Sequence, residues 1–126
     1  MIDIIKQIAY WRKSAEEDWD IAVDLLQREK TRYGLFFSHL ALEKALKAHV
    51  CRAKQDMAPR SHALLRLAEL SQLSLTSDQR LFLSEFDRYQ IEGRYPEDLL
   101  AKPSPEEARA QLRKAEETFQ WLMRQL

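Results

Sequence analysis

Between residues 33 and 54 the apolar positions Leu35, Phe36, Phe37, Leu40, Ala41, Leu42, Ala45, Leu46, Ala48 and Val50 wrap most of the circumference of a helix. A helix that is apolar nearly all round belongs at the buried centre of a bundle. The rest of the chain must therefore supply the helices that cover it. Composition agrees: the only glycines are Gly34 and Gly93, Val, Ile and Thr are few, and Ala, Leu, Glu, Lys, Arg and Gln dominate. A chain of 126 residues fits one domain. The expected fold is all-α, an up-and-down bundle of about five helices spanning 1–126.

The covering helices follow from periodicity and caps. Residues 3–29 place Ile4, Ile8, Trp11, Ala15, Trp19, Ala22, Val23 and Leu26 at spacings of three and four. Lys30, Thr31 and Arg32 are expected to form a turn, and Pro59 closes the central helix. Ser61 is the expected cap of a short helix over 62–71, and Thr76 to Gln79 fits a capping box opening a helix over 77–90, with Leu81, Phe82, Leu83 and Phe86 inward. Ser104-Pro105-Glu106-Glu107 starts the last helix, 105–125, which buries Ala108, Leu112, Ala115, Phe119, Leu122 and Met123. Residues 91–103 read as an ordered loop, long enough to suggest a functional role.

The most informative polar residues lie on the central helix. His39, Glu43 and Lys47 fall at i, i+4 and i+8, one line on an otherwise apolar element. Charge in such a place needs a partner or solvent. Two readings stand: an intrahelical Glu43–Lys47 pair at the edge of the core with His39 satisfied nearby, or a polar seam that faces a ligand or a dimer partner. In the loop, Arg94 offers a phosphate fork, Tyr95 a stacking face and Pro96 stiffness; the alternative is a structural latch. His62 follows Pro59-Arg60-Ser61 at a helix start, where backbone N–H groups attract anions, or it is simply structural. His49 has no evident partner and is expected to point to solvent.

Charge is uneven along a chain whose formal net charge is zero. Residues 16–29 are acidic and residues 44–66 basic, which fits either two helix faces attracting each other in a hairpin or a phosphate-binding patch in the second segment. A whole-domain basic footprint for nucleic acid is missing. The single cysteine, Cys51, allows no internal disulfide. The histidines and the cysteine lack metal-ligand spacing, and no phosphate-binding glycine loop occurs; no cofactor is implied. Apolar runs are too short to cross a membrane and no signal peptide is evident, so a cytoplasmic location is expected. The large apolar residues Trp11, Trp19, Phe36, Phe37, Phe82, Phe86, Phe119 and Trp121 look more than a five-helix monomer need enclose, which suggests a homodimer.

Three stretches together resemble the HEPN family of small helical domains. They are W-x7-W-x-x-A-x-x-L-L over Trp11–Leu26, the run Phe36-Phe37-Ser38-His39-Leu40-Ala41-Leu42-Glu43-Lys44-Ala45-Leu46-Lys47-Ala48, and Pro59-Arg60-Ser61-His62 with Leu64 and Leu65, joined later by Arg94-Tyr95-Pro96. The resemblance implies a dimeric helical bundle related to the C-terminal domain of kanamycin-type nucleotidyltransferases. It also implies pairing with a separate minimal nucleotidyltransferase, often as a toxin–antitoxin couple, and nucleotide or RNA as ligand. Other members are metal-independent RNases with an Arg-x4-6-His motif on a late helix. Here no histidine follows His62, and the one formal match, Arg32 to His39, falls on the wrong element. The expected function is therefore a binding protein whose ligand residues are His39, Glu43, Lys47, Arg94 and Tyr95. The alternatives are an RNase using Arg32 or Arg94 with His39 or His62, and a purely structural dimerisation domain.

Overall fold

The computed structural model describes residues 2–90 and 103–126. Among them are the helices α1 (Ile4–Gln27), α2 (Thr31–Lys54), α3 (Leu64–Ser71), α4 (Ser77–Phe86) and α5 (Pro105–Gln125), with no strand among the described residues. The all-α bundle expected from the sequence is the observed fold. α2 is its axis, packed by α1, α3 and α5, with α4 resting on α3. Leu35, Ala41, Leu42, Ala45, Leu46, Ala48, Val50 and Cys51 of α2 are all buried, as an element apolar on every side requires.

α1 and α2 form a hairpin whose turn lies earlier than the apolar pattern suggests. Glu29 adopts a left-handed conformation (φ 60°), and the Lys30 and Glu29 N–H groups bond the carbonyls of Leu25 (2.9 Å) and Leu26 (3.1 Å). This is a Schellman end with glutamate where glycine is usual. It frees Thr31 and Arg32 to begin α2 rather than form the turn. Small residues let the two helices approach: Ala15 and Ala22 are fully buried, and Gly34 lies so near Leu26 that an added Cβ would sit 2.4 Å from its Cγ. Across the hairpin, Lys44 Nζ stands 2.7 Å from Asp18 Oδ2 and donates to Ser14 Oγ at 2.7 Å. The acidic and basic segments thus do attract each other here.

The capping signals of the last two helices hold. Thr76–Gln79 and Ser104–Glu107 each form a reciprocal capping box. α5 buries Ala108, Ala115, Thr118, Phe119 and Leu122, with Phe119 stacked on Trp19 at 4.8 Å, while Leu112 and Met123 are half-buried.

Further expectations are corrected. α3 begins at Leu64, not residue 62, and Ser61 is not its cap; the Leu64 N–H bonds Asp87 Oδ1 at 3.0 Å, a partner from beyond α4. α4 ends at Phe86, with Asp87 a turn residue and 88–90 helical again beyond it, and Leu81 is 60% exposed because Leu83 and Phe86 take the inward face. His49 does not face solvent: it is buried, and its Nε2 bonds the Leu122 carbonyl at 2.8 Å. Of the eight large aromatics whose number suggested a dimer, Phe86 and Phe119 are buried and the other six half-buried, and the more exposed apolar side chains include Ile5, Tyr10, Met57 and Leu81.

The close helix crossing can be tested at its glycine. Gly34→Ala gains up to about 1 kcal/mol of helix propensity but forces Leu26 aside at about 1–3 kcal/mol. Chemical denaturation should show a net loss of about 1 kcal/mol, and a stabilised variant would show that the hairpin has slack at this crossing.

A second prediction concerns pH. Burial holds the His49 imidazole below its usual value of 6.5, opposed by the hydrogen bond to Leu122 and assisted by the Arg52 charge. The unfolded chain then takes up a proton near its ordinary value while the folded chain resists, so stability falls as pH drops from about 6.5 toward the lowered value. Melting curves of His49→Asn should show lower stability at pH 7.5 and a shallower loss down to pH 5 than wild type; parallel pH profiles would remove His49 as the cause.

Candidate functional site

The polar line on α2 is an internal network organised by Glu43. Two of its members sit one turn to either side, as the i, i+4 spacing dictates. Lys47 Nζ is 3.1 Å from Glu43 Oε2, and His39 Nδ1 is 3.8 Å from Glu43 Oε1. The His39, Glu43 and Lys47 residues are 0%, 3% and 5% exposed. The ion pair of the first reading exists, but it lies inside the bundle and not at its edge.

Partners arrive from three other elements. His62, in the segment leading to α3, places Nδ1 2.9 Å from Glu43 Oε2. Asp87, just past α4, accepts from His39 Nε2 at 2.9 Å and from the Leu64 backbone N–H at 3.0 Å. From α1, the Trp11 ring lies under the Lys47 ammonium at 5.1 Å, a contact that helps hold a nearly buried cation. Glu43 and Asp87 together therefore fasten α2 to α3 and to the end of α4.

The network is incompletely satisfied. Among the described residues, His39 Nδ1, Glu43 Oε1 and Trp11 Nε1 are buried without a hydrogen bond. Buried polar atoms left so are uncommon and costly. Among the described charged and imidazole members, the two that reach solvent most are His62, whose side chain is 46% exposed, and Asp87, at 30%. The seam's mouth is therefore the start of α3, and His62 is its outward-facing group.

The basic segment 44–66 divides accordingly. Lys44 is held by Asp18 and Ser14, Lys47 by Glu43, and Arg52 by the carbonyls of Gln125 (2.7 Å) and Leu126 (2.9 Å). Lys54, Arg60 and Arg66 lie toward solvent, Arg60 among the exposed residues of the approach to α3. Arg60 and Arg66 flank His62 in sequence. The α3 N-terminus itself is partly occupied, since Asp87 already accepts from Leu64.

Among the weak catalytic candidates, Arg32 and His39 are not brought together as a site. Arg32 lies in the first turn of α2, its guanidinium 5.3 Å from the Tyr33 ring centre, while the His39 ring is fully buried against Asp87. Seven residues of helix separate them by about 10 Å along the axis. Arg94 and Tyr95 lie outside the described residues. No group of three or more metal-ligating side chains occurs among the described residues, and no helix there is long and apolar enough to cross a membrane.

Two features of the network lie beyond the reach of the sequence. Asp87 carries no local signal, because its role depends on contacts far along the chain. His62 stands out as a helix-start residue, but its pairing with Glu43 spans nineteen positions and has no local mark.

A family model described as the HEPN domain matches residues 8–126. The chain belongs to the HEPN family. Two solved structures have the same fold. TT1696 from Thermus thermophilus superposes with a TM-score of 0.78 at 22% identity, covering 95% of this chain and 98% of that one. ST0689, an archaeal HEPN homologue, superposes with a TM-score of 0.69 at 21% identity, covering 94% and 96%. At such identities the likeness is one of fold alone. No curated protein matches the sequence.

The buried HEPN seam predicts an asymmetry between two glutamates. Glu43→Ala strands Lys47 in the interior, and breaking a buried pair on one side costs about 3–5 kcal/mol. Glu16 pairs with Arg12 at 3.4 Å on an exposed face, where such pairs contribute about 0–1 kcal/mol. Urea titrations should place the two variants several kcal/mol apart; equal midpoints would mean that the network adds nothing to stability.

Proposed function

We propose that this HEPN chain is a dimeric binding subunit of a nucleotide-directed system, the partner of a minimal nucleotidyltransferase, holding an anionic nucleotide or RNA group at the mouth of the α2 seam. The observation that carries the reading is the Glu43–His62 pair. A carboxylate that is 3% exposed fixes Nδ1 of an imidazole whose side chain is 46% exposed, so Nε2 is left for a ligand in a set orientation. Arg60 and Arg66 add positive charge near it in the chain. The direct ligand contact expected of His39, Glu43 and Lys47 passes to His62, because the three are enclosed; they support it from behind. Arg94 and Tyr95 remain proposed contacts from the loop.

The RNase reading keeps one specific support. A histidine oriented by a buried carboxylate has the form of a general base. Cleavage also needs a cation placed at the phosphate, and the late-helix Arg–His arrangement that the resemblance associates with RNase activity has no histidine to build it here. The third reading, a structural dimerisation domain, leaves the outward His62 without a role.

Titration of the purified protein with ATP and with a short single-stranded RNA tests the three readings together, with chelator present and the RNA checked for cleavage. The expected result is binding without cleavage, weakened several-fold by His62→Ala and by Arg60→Ala/Arg66→Ala, and weakened further by salt. Cleavage that His62→Ala abolishes would install the enzyme reading. Absence of binding to either ligand, alone or with a minimal nucleotidyltransferase added, would leave the structural one.

A further inference from the structure

α4 packs on α3, while α5 packs on α2 and α1. Between α4 and α5 lies a groove of about 380 Å3. Its apolar part is Phe82, half-buried, and Leu81, exposed at 60%. Its rim carries Asp78 and Glu85 from α4 and Glu117 from α5, against the single cation Lys114. The whole chain has no net charge, so this acidic excess is local. Among the described residues none of these three carboxylates is in an ion pair.

Thr118 supplies a separate observation. It is 6% exposed and lines the groove, and its hydroxyl makes no hydrogen bond among the described residues. Its oxygen is not among the fully enclosed unbonded atoms, so it is open to a hydrogen bond from solvent or from an occupant of the groove. The groove therefore combines an apolar surface in water, unpaired carboxylates around it and an unused polar group in its wall.

We infer that the groove docks a basic amphipathic segment of a partner protein, which sets an apolar side chain on Leu81 and Phe82 and Lys or Arg side chains against Asp78, Glu85 and Glu117. An apolar strip with a charged rim is the complement of an amphipathic helix. A small amine would satisfy the rim and leave Leu81 wet, and nucleic acid is repelled by the same carboxylates. The inference does not rest on the ligand at His62: a chain that binds no nucleotide can still dock a segment here, and the test is run without nucleotide.

Two labelled helical peptides with the same leucine stripe, one with lysines and one with glutamates on its polar face, provide the probe. Fluorescence anisotropy should show the wild-type protein binding the lysine peptide in preference. Glu85→Lys/Glu117→Lys should weaken that binding about ten-fold or more and favour the glutamate peptide instead. Leu81→Asp should weaken both, and Glu16→Lys/Glu17→Lys on α1 should leave affinity within about two-fold. All of these positions are exposed, so helicity and melting temperature are expected to stay near wild type. Groove variants that bind like wild type, or an α1 control that loses as much, would overturn the proposal. So would light scattering in which the protein self-associates and Leu81→Asp abolishes it, since the occupant would then be a second copy of this chain.

Discussion

The structure depends on a carboxylate in the wrong place. Glu43 sits at the centre of a helix that every neighbour buries, and it is enclosed almost completely. Charge there is tolerated only because Lys47 and His62 share one of its oxygens. That arrangement draws the segment before α3 onto α2 by a polar contact, where packing alone would have allowed several positions. Asp87 repeats the device, joining His39 of α2 to the backbone of Leu64. α3 is short, with eight residues, and has no side-chain cap of its own at Ala63. Its position is thus set by two carboxylates from elsewhere as much as by Leu64 and Leu67.

What was legible in the sequence was what depends on neighbours along the chain. The α2 apolar pattern placed that helix at the centre, and the capping boxes at Thr76 and Ser104 placed the starts of α4 and α5. The Glu43–Lys47 pair followed from i, i+4 geometry. Features that depend on distant partners were not legible. The Asp87 cap of α3 joins residues twenty-three apart, and the His49 bond to Leu122 joins residues seventy-three apart. His49 looked like a surface group because its own helix offers it no partner, while α5 does. The hairpin turn was misplaced for a different reason: Glu29 takes a left-handed conformation that glycine usually signals, so nothing in the residue types marked it.

Membership in the HEPN family and the geometry of the seam bear on function in different ways. The family match covers nearly the whole chain and accounts for the bundle. The late-helix Arg–His pair that the resemblance associates with RNase activity lacks its histidine here, since none follows His62. The seam instead concentrates its polar groups behind one partly exposed histidine. A buried carboxylate behind an outward imidazole fixes the ring's orientation and, in the neutral ring, places the proton on Nδ1 and leaves Nε2 as an acceptor for a ligand hydroxyl or N–H, with any anionic group left to Arg60 and Arg66. An oriented acceptor nitrogen is also the reason that the enzyme reading is worth testing at His62 and not at His39.

The central claim is that Glu43 holds His62 by Nδ1 and leaves Nε2 outward. Long-range 1H–15N NMR of the imidazole rings at pH 8 tests it directly. The wild-type His62 ring should carry its proton on Nδ1, against the preference of a free neutral histidine, and Glu43→Gln should shift it toward the ordinary Nε2–H form. A wild-type His62 that already shows the Nε2–H form, with spectra unchanged in Glu43→Gln, would contradict the account.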